Sequence, residues 1–142
     1  MTAVVDTCIL LDVLQNREHF FNNSFAIFLA SSTETFGGVI TAKSILDVHY
    51  IIRKNLHNEQ QARDWVNRLF SLFRVVDTVY EDCRVAISSQ TSDYEDAVMI
   101  ETAKRIGADC IVTRNLRDYS MSSVPVFSPE EFLQKLKYEQ EE

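Results

Sequence analysis

Residues 3–14 read Ala3-Val4-Val5-Asp6-Thr7-Cys8-Ile9-Leu10-Leu11-Asp12-Val13-Leu14. A short β-rich run, Ala3-Val4-Val5, ends directly on an acid. The arrangement returns near residue 110, where Cys110-Ile111-Val112-Thr113 leads through Arg114-Asn115-Leu116-Arg117 to Asp118. Three further runs read as strands: Gly38-Val39-Ile40-Thr41, Arg74-Val75-Val76-Asp77 and Val124-Pro125-Val126-Phe127. These runs are apolar rather than alternating, and helical stretches separate them. That pattern predicts an α/β chain whose parallel sheet is covered on both faces. In such sheets the ligand crevice lies beyond the carboxyl ends of the strands, so the residue after each strand is the place to look for chemistry.

The helices have their own signals. Phe21, Ser24, Phe25, Phe28 and Leu29 follow a helical spacing, and Ser44 to Asn55 reads as a helix apolar on most sides. Ala62, Trp65, Val66, Leu69, Phe70 and Phe73 form the cleanest i, i+3, i+4, i+7 stripe. Thr78 with Glu81, Ser92 with Glu95 and Ser128 with Glu131 each fit a capping box. Pro129 suits the first position of the last helix, Phe127 is placed to staple onto Phe132, and Gly107 suits the close of the helix after Ser92.

The length, 142 residues, is that of about one domain, assigned here to residues 1–138 with an acidic tail at 139–142. Glycine occurs only at 37, 38 and 107, so neither G-x-x-x-x-G-K-[ST] nor G-x-G-x-x-G is present. The formal net charge of −7 argues against a broad basic surface gripping nucleic acid unaided. The longest apolar run, Phe25 to Ala30, is far short of a membrane span, and no secretory signal is visible. Cys8, Cys83 and Cys110 lack metal-ligand spacing and read as reduced thiols, as expected of a cytoplasmic protein.

Four aspartates stand out. Asp6 and Asp118 follow strands, Asp47 lies among Ile45, Leu46, Val48, Ile51 and Ile52, and Asp96 shares a helix side with Met99, Ile100 and Ala103. Unpaired carboxylates in such places are costly, and clustering them adds repulsion. A divalent cation with a preference for hard oxygen ligands removes both objections. Each acid also has a plainer reading. A strand-end Asp often caps a helix, Asp93 suits the helix dipole, Asp12 and Asp64 read as solvated or structural, and Asp47 is placed to pair with Lys43 at i−4. His19, His49 and His57 have no partner at ligand spacing and read as structural or surface residues.

Together these segments resemble the PIN domain family. Val4 to Leu14 is similar to its first motif, strand-Asp-Thr/Ser-Asn-x-Leu-Leu-Asp. Ser44-Ile45-Leu46-Asp47 is similar to the second acidic position, Asp93-Tyr94-Glu95-Asp96-Ala97 to the third motif, and Val112-Thr113-Arg114-Asn115-Leu116-Arg117-Asp118-Tyr119 to the fourth. The resemblance covers roughly residues 1–130. Two positions depart from the pattern: the second acid is often Glu, and Cys8 replaces a frequent Asn. The resemblance implies a three-layer α/β/α sandwich with a central parallel sheet. It also implies Mg²⁺- or Mn²⁺-dependent ribonuclease chemistry, as in VapC-like toxins of bacterial toxin–antitoxin pairs. Carried over by position, Asp6, Asp47, Asp96 and Asp118 are the catalytic and metal-binding acids. Asp93, Thr113 and Asn115 support them, and Arg114 and Arg117 are placed to steady substrate phosphate. The implied partners are RNA, a cognate antitoxin and a second copy of the chain.

A different class of function stays open, that of a PIN-fold protein acting by binding a partner with weak or no catalysis. A phosphate-handling α/β enzyme is disfavoured because Asp6-Thr7-Cys8-Ile9 lacks the second Asp of a D-x-D motif.

Overall fold

The computed structural model describes residues 1–142. In chain order the elements are β1 (Thr2–Val5), α1 (Thr7–Leu14), α2 (Phe21–Ser32), β2 (Gly37–Thr41), α3 (Ala42–Leu56), α4 (Glu59–Leu72), β3 (Arg74–Val76), α5 (Tyr80–Ala86), α6 (Tyr94–Arg105), β4 (Cys110–Val112), a 3₁₀ turn at Leu116–Tyr119, β5 (Val126–Phe127) and α7 (Pro129–Glu141). All strand pairings are parallel, in the order β3-β2-β1-β4-β5.

The expected three layers follow from side-chain alternation along these short strands. Ala3 and Val5 of β1, Ile40 of β2, and Cys110 and Val112 of β4 enter the larger apolar core, together with residues of α1, α2, α3, α4 and α7. Val4, Val39 and Ile111, one position over, enter a smaller core on the opposite face with Met99, Ile100 and Ala103 of α6 and with Tyr119. Both faces are covered, so the central strands carry consecutive apolar residues, Ala3-Val4-Val5 and Cys110-Ile111-Val112, rather than alternating ones.

Local signals hold in part. Ser128 and Glu131 form the expected capping box with Pro129 in the first turn, and Gly107 follows α6 with φ +70°. The other two boxes are shifted by one residue. Asp82 accepts from Val79 N at 3.1 Å, and Asp93 rather than Ser92 caps α6 by accepting from Asp96 N at 3.1 Å. In α5 Asp82 reaches back to the cap amide from the third position, and in α6 Asp93 is itself the cap, each start falling one residue later than the spacing predicts. The run after residue 6 forms α1, a helix that sequence spacing does not mark. α7 runs through Glu141, so the acidic stretch is the exposed end of a helix.

Two helix faces differ from expectation. α2 buries Ser24, Ile27, Phe28 and Ser31, leaving Phe25 and Leu29 outside. The serines are inside because each hydroxyl has a buried acceptor. Ser24 donates to Asp12 Oδ2 at 3.0 Å, and Ser31 donates to Leu72 O at 2.7 Å. α3 is not apolar all round, since it buries only Ser44, Val48 and Ile52 while Leu46 is 68% exposed. Gly38 is required by close packing: a Cβ there would lie 2.2 Å from Ser31 Oγ and 2.8 Å from Phe73 Cδ1.

α5 is fastened to α6 by a buried charge. Arg105 donates to both oxygens of Asp82, at 2.9 and 3.2 Å, and Thr102 Oγ1 donates to Asp82 at 2.8 Å. Burial pushes the Asp82 carboxyl up, and the bonds from Arg105, Val79 N and Thr102 more than reverse it, holding it below the usual carboxylate range. Asp82→Ala is expected to cost about 2 kcal/mol in denaturant unfolding, because it removes the group that joins Thr102, Arg105 and the Val79 amide, leaving Thr102 only Val98 O and Arg105 only Asp77 O. The folded pKa is depressed, so this stabilisation is present above the unfolded value near 4 and is lost as pH falls through the folded one. Comparing wild type with Asp82→Ala across that acid range checks the sign.

Candidate active site

Asp6 leaves β1 at the point where the strand order reverses, with β2 on one side and β4 on the other. This is the switch point at which open parallel sheets offer a crevice. Asp6 N donates to Val112 O at 3.0 Å. The side chain caps α1 through Thr7 N at 2.7 Å, and its second oxygen accepts from Thr113 Oγ1 at 2.7 Å and from the Cys8 thiol at 3.6 Å. The residue is 6% exposed, and all three side-chain donors are neutral. Burial therefore pushes the Asp6 carboxyl above its usual range, against the opposing effect of Thr113 and Thr7 N.

A cleft of about 400 Å³ opens over this residue, and Asp47, Asp96 and Asn115 also line it. Asp96 stands in the first turn of α6. Burial first, then the charges of Asp6 and Asp93 with a smaller share from Asp118, push its carboxyl up to about 7. Asp118 lies in the 3₁₀ turn, outside the cleft wall but near enough for Asp96 to sense it. Asp47 takes its plainer partner, Lys43 at i−4, and Lys43 also reaches Glu95 at 3.5 Å.

The supporting residues divide. Thr113, fully buried, donates to Asp6 while accepting from Asn115 N at 3.0 Å, so one hydroxyl fixes both the acid and the start of the next loop. Asn115 is exposed at the cleft wall, and Asp93 is the cap of α6. Arg117 is exposed and outside every ion pair of the structure. Arg114 is engaged elsewhere. It binds Asp12 with Nε at 2.6 Å and Nη2 at 2.9 Å, and its guanidinium lies 3.9 Å from the centre of the Phe20 ring. Asp12 is fully buried, so of its two plain readings the solvated one fails and the structural one holds.

Several residues of the site escape sequence reading. Tyr119 is buried, and its hydroxyl has no hydrogen-bond partner. Burial and then the Asp6 and Asp96 charges push the phenol far up. Its position directly after Asp118 is the available signal. Arg17 and Ser44 also line the cleft, beside Lys43, which its i−4 spacing to Asp47 marks in the sequence. Ser44 meets the Thr7 hydroxyl at 2.8 Å, which links α3 to α1 across the site. The Cys8 thiol is pushed up to about 12 by burial and then by Asp6, so it serves as a weak donor and not as a nucleophile.

The donor set suits a hard divalent cation: carboxylate oxygens throughout, with negative charge that no nearby base offsets at Asp6 and Asp96. As the side chains stand, no three acidic or imidazole groups are gathered closely enough to enclose an ion. A cation held by these acids would need their carboxylates to rotate, and Asp47 could join only on leaving Lys43.

Two outcomes follow from this geometry. Asp96 has a folded pKa of about 7 against an ordinary 3.8, so its ionisation opposes folding. Metal-free stability should fall as pH rises through that interval, and Asp96→Asn should flatten the dependence. At neutral pH that variant should gain on the order of 1 kcal/mol, the exposed part of the side chain being screened by water. Arg114→Ala takes the bidentate partner from the buried Asp12, leaving it Ser24 and a looser Arg17, and should cost about 3 kcal/mol in thermal or denaturant unfolding.

Comparison with known proteins agrees with the architecture. PAE2754 from Pyrobaculum aerophilum superposes with a TM-score of 0.68 at 17% identity, covering 97% of this chain and 90% of that one. VapBC2 from Rickettsia felis, bound to a DNA fragment from their promoter, gives 0.67 at 12% identity over 90% of this chain and 98% of that one. A toxin–antitoxin complex from Klebsiella pneumoniae gives 0.63 at 23% identity over 89% and 97%. No curated protein matches the chain at a significant level. The sequence matches the PIN domain over residues 2–117, a span that includes Asp6, Asp47 and Asp96 and stops one residue short of Asp118. On that match, the chain belongs to the PIN domain family.

Proposed function

We propose that this chain is a Mg²⁺- or Mn²⁺-dependent endoribonuclease and the toxin of a type II toxin–antitoxin pair. The observation that carries the reading is the uncompensated carboxylate charge at the sheet's switch point, where Asp6 is buried among neutral donors and Asp96 is pushed up to about 7 beside it. Folding tolerates such a cluster at a cost in stability, and a bound cation reverses that cost. Asp6, Asp96 and Asp118 would hold it, with Asp47 once freed from Lys43. Bound there, the ion would polarise a scissile phosphate and lower the pKa of a water.

The chain's own residues supply position. Thr113 locks the Asp6 carboxylate, and Asn115 presents an amide at the cleft wall. Lys43 and Arg17 are the cations of the cleft wall, and Arg117, exposed and outside every ion pair, is free to turn toward phosphate. No helix is long and apolar enough to cross a membrane; a cytoplasmic site of action belongs to the proposal. Exposed apolar side chains suit an antitoxin segment or a second copy: Leu46 and Tyr50 on α3, and Phe25, Leu29 and Phe70 on α2 and α4. Solved relatives in complex with antitoxins give the same expectation for this chain. An adjacent reading frame encoding a small protein with a DNA-binding half and a basic or amphipathic tail would fit it.

One observation favours a second reading, that of a binding module. Asp47 is already neutralised by Lys43, and the acids do not enclose an ion as they stand. The same experiment separates the two. Mn²⁺ should raise the melting temperature of the wild type and not of Asp6→Asn. Single-stranded RNA should be cut only with the metal, and Asp6→Asn should lower the rate by ~10²-fold or more. Cleavage that survives both EDTA and Asp6→Asn overturns the proposal. A metal-induced rise in melting temperature with no RNA cut selects the binding module.

A further inference from the structure

Two polar groups of the site lack partners, and they are neighbours. The Tyr119 hydroxyl is sealed from solvent and makes no hydrogen bond. The Asp96 carboxylate accepts from no amide or side chain, its residue's capping bond being made by its own amide to Asp93. Lys43, which lines the same cleft, is taken by Asp47 and Glu95. The Tyr119 hydroxyl stands close enough to bear on both Asp96 and Asp6, without the alignment of a made bond to either. Its ring is fixed in the smaller core, against Met99 and Ile100, one turn beyond Asp96 on α6, and Val4, two residues before Asp6. A buried hydroxyl left unpaired opposes folding, and the few that persist call for a reason.

We infer that Tyr119 is a positioning residue of the metal site: when the Asp96 carboxylate turns to give one oxygen to a cation, the Tyr119 hydroxyl donates to the other and holds the acid in that pose. The inference rests on the metal-dependent reading of the cleft and deepens it. Access is the first argument. The hydroxyl has no exposed surface, so it touches neither cation nor RNA and acts only through a neighbour. Vacancy is the second. Asp6 already has its donors, Thr7 N on one oxygen with Thr113 and Cys8 on the other, whereas Asp96 lines the cleft with none. Direction is the third. An ionised carboxylate only accepts, and burial with the Asp6 and Asp96 charges keeps the phenol protonated, so the bond runs from Tyr119 to the acid. Carboxylates that bind metals are themselves hydrogen-bonded from behind, and that partner tunes affinity. Unpaired in the metal-free chain and paired in the loaded one, the hydroxyl favours loading and contributes nothing to the free fold. A hydroxyl that served only the core would support both forms alike.

The test is titration of the full-length protein with Mn²⁺, read by the loss of the free-ion electron paramagnetic resonance signal, beside melting curves recorded without metal. Tyr119→Phe keeps the ring in the core and removes only the hydroxyl. Without metal it should melt no lower than wild type, and it should bind Mn²⁺ about 10- to 100-fold more weakly. Tyr138→Phe, which removes an exposed hydroxyl on α7, should bind as wild type does. With single-stranded RNA, the rate that Tyr119→Phe loses at limiting Mn²⁺ should return as Mn²⁺ is raised to saturation. Equal Mn²⁺ affinity in wild type and Tyr119→Phe overturns the inference, as does a metal-free melting temperature lowered by the substitution. Where RNA is still cut only with Mn²⁺, that equality leaves the ribonuclease reading intact. Weaker Mn²⁺ binding by Tyr119→Phe, in a protein that cuts no RNA, supports the inference and removes the ribonuclease reading. A wild type that binds no Mn²⁺ overturns both.

Discussion

A carboxylate buried at the end of the central strand sets the terms for everything around it. Asp6 must be surrounded by donors, because an ionised group taken from water without partners costs several kcal/mol. The fold supplies three from two pieces of structure: the first amide of α1 and the Cys8 thiol in its first turn, and the Thr113 hydroxyl at the end of β4. The helix is placed by the acid it serves, since the Asp6 side chain caps its first turn. β4 is placed as well, because Asp6 N bonds to Val112 O and Thr113 reaches the carboxylate only if β1 and β4 pair in that register. A shift of one residue would turn Thr113 to the wrong face.

A second buried charge has the opposite solution. Asp12, two turns along α1, is paired bidentately with Arg114, and Arg17 lies 3.6 Å away. That pair ties the loop after β4 to α1, and Phe20 stacks on the guanidinium from the outside. The loop between Thr113 and Asp118 is thus held at two points, by Thr113 on Asp6 and by Arg114 on Asp12. The two aspartates of the first motif have divided roles. Asp12 is neutralised and structural, while Asp6 is left without a cation at the mouth of the cleft.

The layers of the fold are legible in the sequence because apolar strand runs and helix spacing report burial directly, and both faces of this sheet are covered. The hidden parts are those where polarity and burial part company. Ser24 and Ser31 lie on the inner face of α2 because Asp12 and Leu72 O need donors, and no hydropathy pattern encodes a need that arises across the fold. The acids are legible for the same reason that makes them costly: a carboxylate after a strand, or among apolar residues on a helix, is conspicuous. Their partners are not. Nothing along the chain says that Arg114 will turn toward Asp12, 102 positions earlier, while Arg117 stays exposed. Tyr119 is concealed differently, its apolar ring giving the appearance of core and its hydroxyl becoming relevant only once Asp6 and Asp96 are seen to flank it.

The distribution of basic residues completes the electrostatic argument. Among the cations lining the cleft, Lys43 is shared between Asp47 and Glu95, and Arg17 is drawn toward Asp12. Each local positive charge is already matched, so the excess at Asp6, Asp96 and Asp118 stands uncancelled within a chain that is −7 overall. Such a field repels a polyanion at low salt and does so less as the screening length shortens. Approach of a phosphodiester to these acids thus depends on positive charge brought from outside the chain. On the proposed ribonuclease reading, the same dependence would give the fold a means of control: a cation in the cleft would admit the polyanion, whereas a basic segment of another protein, held by the same acids, would keep it out.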